Sequence, residues 1–137
     1  MNRLDHFSNC LDVLKKADFS LADDNTIYRM GIVCQSSLTF ELAWKALKMV
    51  LCLHGAKGAE TGSPREILQI GYQLGFINDT TVWRMMLKKH HSSVDDYNDE
   101  DTMNEMVLLI HDSFLPAFTA LEKTLREKLS ETGTDWN

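Results

Sequence analysis

A chain of 137 residues with a formal net charge of -6 can bury roughly two thirds of its unfolded surface around one core, so it requires no disulfide or metal staple. Its 44% hydrophobic and 25% charged residues exclude a disordered or fibrous chain. The acidic balance argues only weakly against nucleic acid, because a local basic patch still binds phosphate.

Arg3 and Asp5 place charge where a secretory leader would be apolar, and the longest uncharged run, Met30 to Phe40, is far short of a membrane span. A cytoplasmic location with no membrane association is expected. Leu4, Phe7, Leu11 and Leu14 recur at three- and four-residue steps and predict a first helix. A longer one is predicted from about Asn25 to His54, with Ile27, Met30, Val33, Leu38, Trp44, Leu47 and Leu51 in helical rhythm and Gly55 as its C-terminal stop. Its wide apolar face suggests a central position. Cys34 and Cys52 would lie about 27 Å apart on it at ~1.5 Å per residue, too far to bridge. With Cys10 they read as core hydrophobes or surface thiols.

Three glycines between Gly55 and Gly62 mark a loop, and Ser63-Pro64-Arg65-Glu66 is a capping box that starts a third helix running to near Gly75. Asn78 or Asp79 caps a fourth, carrying Val82, Trp83, Met86 and Leu87 and fraying after Lys89. The acidic run Asp99-Glu100-Asp101 begins a last helix that reaches Leu129, with Pro116 predicted to kink it by freeing the carbonyl of Asp112. Phe40, Trp44, Trp83 and Phe114 read as core aromatics. The fold expected is all-α: an up-and-down bundle of four to five helices, one domain over residues 1–130, with residues 131–137 a disordered tail.

Polar chemistry gathers between Trp83 and Asn98. Arg84 and Lys88 share a helical face with His91, a cationic strip suited to phosphate; a solvated helix end whose cations offset the helix dipole explains the same residues. Arg65, in the first turn of a helix, is badly placed for the dipole and so is a further candidate for an acidic or phosphorylated partner. His90, His91, Asp95 and Asp96 lack the spacing of a metal site, and no Walker-type loop or four-ligand Cys/His set is present, so neither metal nor cofactor is expected.

The run Leu38-Thr39-Phe40-Glu41-Leu42-Ala43-Trp44-Lys45, the Ser63-Pro64-Arg65-Glu66 cap, Gly75-Phe76-Ile77, Trp83 with Met86 and Leu87, Tyr97-Asn98 and Phe114-Leu115-Pro116 follow one another in an order that resembles the HEPN superfamily. Within that superfamily the chain resembles specifically the branch of nucleotidyltransferase substrate-binding proteins. That resemblance implies a HEPN-like helical bundle, a homodimer, and assembly with a minimal nucleotidyltransferase, as a heterotetramer or larger. It also implies a site at the dimer cleft for nucleotide or RNA. In active relatives an arginine followed after four to six residues by a histidine cleaves RNA without metal, and a nearby tyrosine receives adenylyl groups. Aligned without gaps, His90 stands at the arginine position, Asp95 at the catalytic histidine, and Tyr97 is kept as a modification candidate. An aspartate is a poor proton donor at neutral pH and a histidine a weaker phosphate clamp than arginine, so a non-enzymatic or weakly active binding subunit is the first expectation. The alternative is a ribonuclease toxin of a toxin–antitoxin pair, using Arg84 as clamp and His90 or His91 as acid.

Overall fold

The computed structural model describes residues 1–92 and 99–132, and among them every regular element is helical. Helix α1 spans Arg3–Lys15. Asn2 accepts the Asp5 amide and Asp5 accepts the Asn2 amide, closing its first turn, while Leu4, Phe7, Leu11 and Leu14 face inward. A short 3-10 turn, Phe19–Asp23, then leads into the 28-residue α2, Thr26–Leu53, capped by the side chain of Asn25. The turn has no apolar period long enough to be read from sequence.

Helix α2 packs against α1 and every later helix, which places it at the centre. Its inner face differs from the expected one. Ile27 is 84% and Leu38 51% exposed, whereas Ile32, Val33, Phe40, Ala43, Leu47, Val50 and Leu51 are buried. Trp44 is only partly buried, so it is the one predicted core aromatic that keeps a wet edge. Gly55, at φ 71°, turns the chain out of α2 in the left-handed region.

Helix α3, Pro64–Gln73, starts with the expected capping box. A Cβ on Gly71 would lie 3.0 Å from Leu47, so the missing side chain lets α3 approach α2 closely. Asp79 caps α4, Thr80–His90, which buries Trp83 and Met86. Helix α5, Glu100–Leu109, continues through a π turn, Ile110–Phe114, into α6, Leu115–Glu131. Where a kink at Pro116 was expected, the helix widens: the Leu115 amide donates to the Ile110 carbonyl, five residues back, and the proline follows in the first turn of α6. Among the described residues five helical rods therefore surround one core, since α5 and α6 run on as one. No helix among the described residues is long and apolar enough to cross a membrane.

Candidate functional site

Ser37 and Glu41 stand one turn apart on α2, and their i, i+4 spacing aims both side chains the same way. Opposite them α4 ends at His90, and the two grip its ring from either side. The Ser37 hydroxyl lies 2.6 Å from His90 Nδ1, and Glu41 Oε2 lies 3.1 Å from His90 Nε2. Phe40, buried between them on α2, backs the imidazole with ring centroids 5.2 Å apart.

Glu41 is the hub. Its Oε2 also accepts the indole N–H of Trp44 at 3.1 Å, and Oε1 pairs with Lys45 Nζ at 3.1 Å. Partial burial pushes the carboxyl upward, but the hydrogen bonds from Trp44 and Lys45 and the charges of Lys45 and His90 outweigh it and hold Glu41 below its ordinary value. A carboxyl depressed on folding stabilises the protein fully above its unfolded value and loses that contribution as pH falls through the folded one. The stability gap between the parent and Glu41→Gln should accordingly be widest near neutrality and close in acid; denaturation midpoints taken across that range would expose a gap that stays constant.

In the neutral imidazole, an ionised Glu41 can only accept, so Nε2 carries the proton and Nδ1 is left to accept from the Ser37 hydroxyl. Ser37 and His90 open onto a cavity of about 400 Å³ walled by Met30, Val33, Phe40, Met86, Met106 and Phe114. Cys34, Lys89 and Ser92 also border it.

The other sequence candidates lie elsewhere. Arg84, Lys88 and His91 are all exposed on α4, with the His91 ring 5.6 Å from that of His90. Arg84 lines a second groove of about 230 Å³ between α3 and α4, together with Arg65, Glu66 and Gln69. Six residues of helix separate Arg84 from His90 by about 9 Å of rise and about 120° of rotation, and the two line different cavities. Asp95, Asp96, Tyr97 and Asn98 lie outside the described residues. Sequence reasoning missed Ser37 altogether. Its only signal was its place one turn before Glu41, a spacing visible only after His90 is known to come across.

A protein-family model described as nucleotidyltransferase substrate binding protein like matches residues 2–127. A search of curated proteins finds no match.

Proposed function

We propose that this chain, which belongs to the nucleotidyltransferase substrate binding protein like family, is a binding subunit that pairs with a minimal nucleotidyltransferase and presents it with a nucleotide or an acceptor. The observation that carries this reading is the grip on His90. At the place where the HEPN ribonuclease pattern would put an arginine stands an imidazole with both nitrogens already engaged, by Ser37 and Glu41. Such a group offers no bidentate clamp for a scissile phosphate. The guanidinium groups of Arg65 and Arg84 instead flank the groove between α3 and α4, where they suit the phosphates of a bound nucleotide, with Lys88 one turn further along.

Self-association has a surface to use. Ile27, Gly31, Cys34 and Leu38 recur at steps of four, three and four on α2 and are all exposed, an apolar ridge of the kind that packs against a second helix. It supports the homodimer reading.

The test is co-expression with a minimal nucleotidyltransferase, taken from an adjoining reading frame that carries Gly-Ser followed by Asp-x-Asp. The two chains are expected to elute together, with this chain twofold in the complex by light scattering. Purified alone it should leave total RNA intact without metal, and Arg84→Ala should not disturb the complex. Separate elution would sink the partner reading. Metal-free cleavage that disappears in Arg84→Ala or His90→Ala would put the ribonuclease toxin in its place.

A further inference from the structure

The polar groups at the large cavity form a relay whose outer member is a hydroxyl. Glu41 holds His90 Nε2 at 3.1 Å, His90 presents Nδ1 to Ser37 at 2.6 Å, and Ser37 borders the cavity. Three further contacts fix this order: Trp44 and Lys45 hold the carboxylate, and the buried Phe40 ring backs the imidazole. A carboxylate that orients an imidazole, which in turn accepts the proton of a serine, makes a weak hydroxyl nucleophilic whatever the fold or chain order; here the ring nitrogens exchange the places they hold in the Ser-His-Asp triad, with Nδ1 facing the serine and Nε2 the carboxylate.

We propose that Ser37 is a nucleophile that takes up the acyl group of an uncharged, apolar ester. Cavity chemistry selects the substrate class. Six of the lining side chains are apolar or aromatic, the volume of about 400 Å³ suits a small hydrophobic molecule, and among the described residues Lys89 is the only lysine or arginine that borders it, too few cations for a polyphosphate. The Glu41 carboxylate directly behind His90 disfavours a polyphosphate and tolerates a neutral ester. Ser37 Oγ attacks the carbonyl carbon while its proton passes to His90 Nδ1, and the imidazolium is stabilised by Glu41. The bond from the carbonyl carbon to the leaving oxygen then breaks, the leaving alkoxide takes the proton from His90, and an O-acyl serine remains.

The setting of Ser37 limits the rate. It lies in the middle of α2, where the neighbouring amides are committed to the helix ladder and cannot converge on an oxyanion. One slow acylation per chain is therefore the expected event. Glu41 is a positioning residue, since it acts through His90. The inference does not depend on the nucleotidyltransferase partner.

The full chain is incubated with p-nitrophenyl butyrate, p-nitrophenolate release is followed, and the labelled peptide is identified by mass spectrometry. A burst of one equivalent is expected, with one butyryl group on Ser37. Ser37→Ala should abolish it, with no label passing to Cys34, the competing thiol of the same cavity. Glu41→Gln should slow the burst about a hundredfold, and Glu41→Asp should recover part of the rate. An unfolding midpoint for Ser37→Ala equal to that of the parent would show that the fold is kept. Label on Cys34 or His90, no label at all, or Ser37 labelling as fast in Glu41→Gln as in the parent would each overturn the proposal.

Discussion

Phe118→Ala is expected to cost about 3–5 kcal/mol, a large share of the roughly 5–15 kcal/mol that holds a domain of this kind folded. The ring is fully buried on α6. It meets Phe7 of α1 edge-on at 6.2 Å and Trp83 of α4 edge-on at 5.7 Å. Its removal thus opens a cavity where three helices converge and dissolves two aromatic pairs, each worth about 0.5–1.5 kcal/mol beyond the area they bury. Because α4 also carries His90, the grip on the imidazole should loosen with it. Guanidinium denaturation followed by helical circular dichroism measures the loss. A change below about 1 kcal/mol would mean that the core relaxes around the hole and that Phe118 is not the joint between these helices.

The second large effect is expected at Arg29, which is only 4% exposed on α2. Its Nη1 donates to the carbonyls of Ala22 at 3.0 Å and Asp23 at 3.2 Å, and its Nη2 to Thr26 Oγ1 at 3.0 Å, which ties the 3-10 turn down on α2. Nη2 also lies 3.4 Å from Glu100 at the start of α5, but that carboxylate is 70% exposed. Solvent screening leaves an ion pair of this type about 0–1 kcal/mol, so the carbonyl clamp dominates. Arg29→Ala should cost about 2–4 kcal/mol by stripping charged donors from inward-facing carbonyls, while Glu100→Ala should cost under about 1 kcal/mol. Arg29→Met separates packing from hydrogen bonding, because it fills the space and leaves the carbonyls unmet; it should recover only a part. The Arg29 Nε is buried with no partner among the described residues, so the arginine is not a perfect fit even in the parent. If Met proves as stable as Arg, the clamp has no net value and the stem of the side chain accounts for the burial.

Helix starts were legible because capping is local chemistry. Ser63 with Glu66 could be read three residues at a time and holds; for the next helix Asn78 and Asp79 are both candidates, and Asp79 is the cap. The inner face of α2 was harder. Ile27 and Leu38 fit the helical rhythm as well as Ile32 and Phe40 do, and hydropathy alone cannot say which side of a mostly apolar helix turns inward when other rods crowd it. The family could be read from runs of residues, and the match over residues 2–127 agrees with it. The site could be read only in part. His90 was singled out through its place in a motif, but the partners that define its chemistry come from α2, 53 and 49 positions earlier in the chain. A contact across that separation leaves no periodicity behind. The i, i+4 spacing of Glu41 and Lys45 predicts only a pair along one helix face; that pair forms, while the second oxygen of Glu41 serves Trp44 and His90.

The π turn between α5 and α6 can also be understood as a correction of phase. Ile110, Phe114 and Phe118 are all buried, yet they are spaced by two steps of four, which on a regular α-helix would carry the third residue about 80° around the axis from the first. A turn of wider circumference absorbs that drift, so the stripe of α6 faces the same interior as the stripe of α5. Over Ile110–Phe114 the chain consequently encodes a count as well as a composition. Exchanging one exposed side chain there leaves the bundle's bearings unchanged, and losing one residue would let the turn close to a regular α-helix, since seven steps of about 100° bring Phe118 back to within about 20° of Ile110; gaining one would swing Phe118, Leu121 and Leu125 toward water together.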